Sequence, residues 1–209
     1  MVGQLDTIGL VAAAAALKID NSNEITNQFI HMENKKLVFI DLDGTLIETA
    51  SGKTFPEGAW DMRLKLDVFQ KLKKLAPKGI FIVTNQGGIE KGLIDPRIFH
   101  TKIAYVIGAL QEYMGLECVV GGRFCSSNNP ENPDRKPNPG MLVDIWNEWE
   151  LNMKERIPKE EIVMIGDASG LEHSFSDSDK KVAENFGCDY VHVEDFVKAK
   201  VRPGEIVLR

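Results

Sequence analysis

Short apolar runs that each stop at a polar residue, separated by stretches of helical periodicity, limit this chain's fold more than any other feature. Lys36 to Asp41 (Lys-Leu-Val-Phe-Ile-Asp) ends in acid and glycine, Ile80 to Thr84 ends in a polar cluster, and Glu161 to Asp167 ends in acid again. Runs that are apolar throughout, rather than alternating, suit strands covered on both faces. Cys118 to Phe124 and Tyr190 to Val193 are expected to be further strands. Between them, Asp61 to Leu75 places Leu64, Val68, Leu72 and Leu75 at helical spacing, and Pro77-Lys78-Gly79 closes that helix. A second helix is expected over Pro96 to Met114, with Ile98, Lys102, Tyr105, Val106 and Leu110 in register. Met141, Ile145 and Trp149, spaced four apart, predict a third from Gly140 to about Met153, and Asp179 to Phe186 a short fourth closed by Gly187. Asn128 to Pro139, rich in Asn and Pro, is loop. The alternation predicts an α/β fold, a three-layer Rossmann-like sandwich around a mostly parallel central sheet. Right-handed crossovers gather the strand ends along one edge, where open α/β sheets bind ligands. Asp41, Thr84 and Asp167 all fall there.

Asp41 and Asp43 lie two apart at a strand end, so their side chains project to the same side. Carboxylates this close repel each other, and Mg²⁺ relieves that repulsion with oxygen ligands and retained waters. Asp167, ending another strand, is placed to complete the metal shell, so the expected metal set is Asp41, Asp43 and Asp167. An anionic nucleophile approaches a phosphate ester only when metal and cation screen the charge. Lys136, within Arg135-Lys136-Pro137, supplies that cation, and Thr84 with the amides of Asn85 and Gln86 supplies hydrogen bonds to phosphoryl oxygens. Alone, an Asp-x-Asp is more often a cap or a turn, Thr84 a strand-end hydroxyl and Lys136 a solvated lysine. Together, in this order at these boundaries, they form a site.

The 209 residues fit one domain able to bury a continuous core. A formal net charge of −6 argues against wrapping a long nucleic acid, which needs many Lys and Arg contacts, but allows a grip on a short end. Three cysteines without CxxC spacing favour a reducing setting, cytoplasmic or, in a eukaryote, nuclear. Ile8 to Leu17 is apolar but well short of the roughly twenty residues that span a bilayer. It also follows Asp6 rather than a basic residue, unlike a secretory signal. Residues 1–35 are therefore expected to be an N-terminal extension, helical or poorly ordered, with no membrane role, and 36–209 the functional domain. Met32, just before the first strand, marks the start of that module or an alternative start.

From Lys36 to about Phe196 the chain resembles the haloacid dehalogenase (HAD) superfamily. The signatures are Asp41-Leu42-Asp43-Gly44-Thr45, Val83-Thr84-Asn85, Lys136 and Gly166-Asp167. The resemblance implies a HAD-like phosphatase working through an aspartyl-phosphate. Asp41 is then the nucleophile, and Asp43 the acid that protonates the leaving oxygen and later activates water. Thr84 and Lys136 complete the catalytic set, and Mg²⁺ is held by Asp41, Asp167 and the Asp43 carbonyl. An acid at position 43 favours phosphatase members over dehalogenases.

Within the superfamily, three stretches resemble the polynucleotide 3′-phosphatase group. They are Ser51-Gly52-Lys53-Thr54-Phe55-Pro56, Thr84-Asn85-Gln86-Gly87-Gly88-Ile89, and Gly166-Asp167-Ala168-Ser169-Gly170 with Phe175 to Asp179 after it. That pattern implies that Asp179 supports Lys136 or the metal shell, and that Thr45, Ser51, Lys53, Asn85, Gln86 and Arg135 contact phosphate or substrate. Leu171 replaces the Arg usual in the group. The segments between the signatures are too short for a large cap domain, which implies an open site suited to a nucleic-acid 3′ end. Gly52-Lys53-Thr54 also resembles the tail of a P-loop, but Ile47 stands where that loop needs Gly, so no kinase activity is expected. The rival is a histidinol-phosphate or heptose-bisphosphate type phosphatase, which shares Arg135 to Met141. Those enzymes carry a zinc loop, whereas here Cys125 is followed by Ser127, Asn132 and Asp134 at the other ligand positions, so no zinc is expected. A non-catalytic binding module on the same fold is the third reading; the intact Asp41, Asp43, Lys136 and Asp167 speak against it.

Overall fold

The layering follows from one strand. In the computed structural model, β1 (Leu37–Ile40) is buried along its whole length, and successive strand side chains point to opposite faces, so both faces must be covered. The structure describes residues 32–207 apart from 54, 55, 59, 172, 173, 175, 203 and 204. The expected N-terminal extension lies, up to residue 31, outside the described residues. Met32 is fully buried in the core, and the Lys35 ammonium pairs with Asp189 at 2.6 Å.

After β1 come the two-residue strands β2 (Ile47–Glu48) and β3 (Arg63–Leu64), then α1 (Leu66–Leu75), β4 (Gly79–Asn85), the single turn α2 (Gly87–Glu90) and α3 (Pro96–Met114). β5 (Val119–Cys125), α4 (Gly140–Met153), β6 (Ile162–Gly166), α5 (Ser178–Phe186), β7 (Asp189–His192) and α6 (Val193–Lys198) follow. β8 (Lys200–Arg202) and β9 (Glu205–Val207) form a terminal hairpin. The central sheet has five strands in the order β5-β4-β1-β6-β7, and every pairing in it is parallel. The expected α/β sandwich is therefore the fold. Val38, Ile40, Val163 and Ile165 face one layer with Val68, Leu72, Phe99, Val106 and Phe196. Leu37, Phe39, Ile162 and Met164 face the other, with Ile145, Trp149, Val182 and Phe186. The chain leaves β1 toward β4 on one side and reaches β6 on the other, which opens a crevice at the carboxyl end of β1.

Two expectations change. The first helix begins at Leu66 rather than Asp61, because Arg63 and Leu64 are extended and pair with Glu48 and Ile47. A small antiparallel flap thus stands between the Asp41 loop and α1. On α3 the buried stripe is Phe99, Lys102, Ile103, Val106 and Leu110, while Ile98 and Tyr105 are 44% and 52% exposed. Contact between the Phe99 and Phe124 rings, 4.8 Å apart, fixes that rotation. Among the described residues no helix is long and apolar enough to cross a membrane.

Candidate active site

Four chain segments deliver the site to the carboxyl edge of the sheet. Asp41 follows β1 directly, its amide donating to Ile165 O at 2.9 Å and so extending the sheet by one residue. Gly44, directly after Asp43 in the same turn, has φ +80°, and a Cβ there would lie 2.2 Å from Asp167 Oδ2. Glycine at position 44 is what lets the β1 turn and the Asp167 carboxylate occupy adjoining space.

Lys136 organises the centre. Its Nζ lies 2.6 Å from Asp41 Oδ1 and 2.6 Å from Asp179 Oδ1, with all three side chains almost wholly buried. Asn85 holds the Lys136 loop in place: its Nδ2 donates to Lys136 O at 2.8 Å, and its Oδ1 accepts from Lys136 N at 3.0 Å. Asp179, in the first turn of α5, also accepts from the Ala168 amide through Oδ2 at 3.1 Å. Asp41, Asp167 and Asp179 offer oxygen atoms that lie within 4.8 Å of one another. Burial raises the Asp41 carboxyl to about 8 against the pull of Lys136, and the charges of Asp179 and Asp43 push the same way. Asp167 is raised by burial and then by Asp179. Burial would lower the Lys136 ammonium, but Asp41 and Asp179 outweigh it and hold it above its ordinary value. Three carboxylates thus face one ammonium, an excess of negative charge that a divalent, oxygen-preferring cation would balance.

Asp43 sits apart from that cluster, half-exposed on the outer side. Gln86 Nε2 donates to its Oδ2 at 2.7 Å, and Lys102 Nζ reaches its Oδ1 at 3.3 Å. Gln86 Nε2 also lies 3.0 Å from Thr84 Oγ1, which links the two polar ends. The Gln86 backbone amide does not face the crevice as expected; it donates to Cys125 O at 2.7 Å, continuing the β4–β5 ladder. Lys102 was not foreseen as a site residue. Its signal was there: a lysine on the stripe of Phe99, Ile103 and Val106, where an uncompensated charge is costly.

The outer candidates are spread more widely. Thr45 is fully buried, its hydroxyl without a partner among the described residues. Ser51 is tied to Asp61, with Oγ donating to Oδ2 at 2.6 Å and the amide to Oδ1 at 2.7 Å. Lys53 pairs with Glu57. Arg135 Nη1 donates to Ser127 O at 2.6 Å, bracing the Asn- and Pro-rich loop.

Solved structures share this fold. A D,D-heptose 1,7-bisphosphate phosphatase from B. bronchiseptica, complexed with magnesium and phosphate, covers 74% of this chain at a TM-score of 0.56 and 21% identity, with 78% of that chain covered. A HAD-like phosphatase from Mesorhizobium loti covers 82% at 0.54 and 23% identity, with 77% of that chain covered. The fold is that of the HAD-like phosphatases. The model of the polynucleotide kinase 3 phosphatase family matches residues 36–197, and the chain belongs to that family. A bifunctional polynucleotide phosphatase/kinase of Schizosaccharomyces pombe is 32% identical over 167 residues, 78% of this chain. The match spans only 38% of that relative's length. An uncharacterized protein of Autographa californica nuclear polyhedrosis virus is 30% identical over 171 residues, covering 78% of this chain and 86% of its own.

Proposed function

We propose that the chain is a Mg²⁺-dependent phosphatase that removes the 3′-phosphate from nucleic-acid ends through an aspartyl-phosphate on Asp41. The observation that carries this reading is the buried Asp41–Lys136–Asp179 bridge beside Asp167, in a chain of the polynucleotide kinase 3 phosphatase family. Asp41 and Asp167 are the residues to hold the cation, since Asp179 is committed to Lys136 and the Ala168 amide. The bound ion supplies charge screening between a carboxylate and a phosphate dianion. The magnesium named with the B. bronchiseptica structure, which shares the fold, supports magnesium as the cation.

The chain's own groups account for the rest. An Asp41 oxygen forms a bond to phosphorus as the bond to the 3′ oxygen breaks, and Asp43 gives its proton to that departing oxygen. In the second half Asp43 takes a proton from water, the water oxygen bonds to phosphorus, and the Asp41–phosphorus bond breaks. Lys136 orients Asp41 and balances charge at the transferring group. Asp179 holds Lys136 in turn, and Gln86 with Lys102 fixes the direction of the Asp43 carboxyl.

The test compares phosphate release from DNA and RNA oligonucleotides carrying 3′-phosphate, 5′-phosphate or none, with sugar phosphates alongside, in Mg²⁺ and in chelator. The expected result is release from 3′-phosphorylated ends, abolished by chelator and lowered by at least about a thousandfold in Asp41→Asn. Preference for sugar phosphates refutes the substrate, and release that survives Asp41→Asn refutes the nucleophile.

A further inference from the structure

We infer that Trp60 and Tyr105 form a stacking platform for the unpaired base at a nucleic-acid 3′ terminus, on the side of the site where the leaving group departs. The inference rests on the substrate reading above and adds a subsite to it. Trp60 and Tyr105 are 55% and 52% exposed, although large aromatic rings in water leave much favourable contact area unused. Their rings meet edge to face, 6.0 Å apart at 84°, so a planar ligand in the angle between them stacks on one ring and meets the edge of the other. With Met62 and Leu64 they line an open pocket of about 330 Å³, at the lower end of the roughly 300–1,000 Å³ that small-ligand sites occupy.

Two independent connections lead from this pocket to Asp43. Leu64 pairs with Ile47 in the β2–β3 flap, and Ile47 forms a lone β-bridge with Asp43 itself. From the other side, Tyr105 stands one helical turn after Lys102, whose Nζ reaches Asp43 Oδ1 at 3.3 Å. Residues three apart on a helix are surface neighbours. A leaving oxygen that takes its proton from Asp43 therefore has the remainder of its molecule on the Trp60–Tyr105 side. Asp61, the residue after Trp60, accepts from Ser51 N, Ser51 Oγ and the Glu57 amide at 2.7, 2.6 and 2.9 Å, which ties the backbone beside the ring to Ser51 and Glu57.

The chemistry selects the occupant. A sugar phosphate has no flat apolar face to lay on an aromatic ring, whereas every nucleobase does, and stacking of this kind tolerates any sequence. A base lying on protein has left its duplex stack, so the favoured substrate is a single-stranded or frayed end. Lys65, whose Nζ donates to Gly44 O at 2.9 Å, and Lys102, whose Nζ reaches Asp43 Oδ1, place positive charge at the Asp43 turn, where an anionic backbone would be held.

The experiment measures kcat/KM on two 3′-phosphorylated single-stranded oligonucleotides, one with a terminal base and one abasic at the last sugar, for the native chain, Trp60→Ala, Tyr105→Ala and Trp60→Phe. The native chain is expected to prefer the base-bearing end by about tenfold, mostly in KM. That ratio falls toward one in Trp60→Ala and Tyr105→Ala and is largely kept in Trp60→Phe. Quenching of tryptophan fluorescence by the base-bearing oligonucleotide in chelator is expected to be lost in Trp60→Phe. A native chain that cleaves both ends equally well overturns the platform and leaves the 3′-phosphatase reading standing. A native chain that ignores both and cleaves sugar phosphates overturns the reading, and the platform with it. Sedimentation in which Trp60→Ala turns a dimer into a monomer, with the base preference intact, also overturns the platform, by making this face a contact between two copies.

Discussion

Lys102 brings a positive charge through the buried stripe of α3 to the Asp43 carboxylate, its Nζ 3.3 Å from Oδ1. A lysine held there loses solvation and side-chain freedom, and a packing role alone would be served better by methionine. Its partner Asp43 is half-exposed, so removing the ammonium strands no buried charge, unlike the breaking of a fully buried pair. Lys102→Met is therefore expected to keep or slightly raise stability in urea titration. It should lower kcat by about 10- to 100-fold with KM little changed, because general acid–base contributions of this size depend on the direction of the acid. Lys102→Arg restores the charge and should recover part of the rate. If Lys102→Met loses stability and rate together, the lysine is a packing residue and the Asp43 contact is incidental.

The elements show what an amino-acid string displays and what it hides. β1, β4 and β6 were legible because a strand covered on both faces must be apolar along its whole length, and the acids that end two of them mark the edge. The Asp41, Lys136 and Asp167 positions were legible for the same reason: each falls where a strand or loop meets that edge. The β2–β3 flap was not, since two-residue strands are too short to carry a period. The rotation of α3 was not either, because Tyr105 and Phe99 both fit a helical stripe, and only contact with Phe124 decides between them. The partners of Gln86 and Asn85 also depend on which loops meet in space. One element-scale prediction concerns the seam between β4 and α4. A Cβ on Gly79 would lie 2.6 Å from Trp149 Cζ3 and 2.9 Å from Leu37 Cδ1, so glycine is what lets α4 sit down on the sheet. Gly79→Val should cost about 1–3 kcal/mol in equilibrium unfolding, as overpacking of a filled core does. The folded fraction should keep its kcat, because α4 reaches the site only through the loop before it.

Across the whole molecule, two thiols report on whether the layers come apart together. Cys118 belongs to the layer of α1 and α3, and Cys188 packs against the layer of α4 and α5. Burial pushes the Cys118 thiol up to about 11, with Lys73 pulling only weakly the other way. Burial, and then the Asp189 charge, pushes Cys188 up to about 12. Since the thiolate is the reactive form, neither should react with a thiol reagent at pH 8 unless its layer opens. Both thiols hold their protons more tightly folded than unfolded. Their contribution to stability is therefore complete below the ordinary thiol value of about 8.5 and is lost as pH rises through about 11 and about 12. The urea midpoint is expected to fall above about pH 9, and to fall less in Cys118→Ala/Cys188→Ala. In native conditions at pH 8, mass spectrometry of peptides labelled over time should give the two cysteines the same slow rate. The sheet supplies the reason: β1 and β6 send alternate side chains into both layers, so neither can lose its packing while the strands stay fixed. A Cys118 rate far above that of Cys188 would mean that α1 and α3 detach from an intact sheet, and would place Lys102, with its hold on Asp43, on the mobile side of the site.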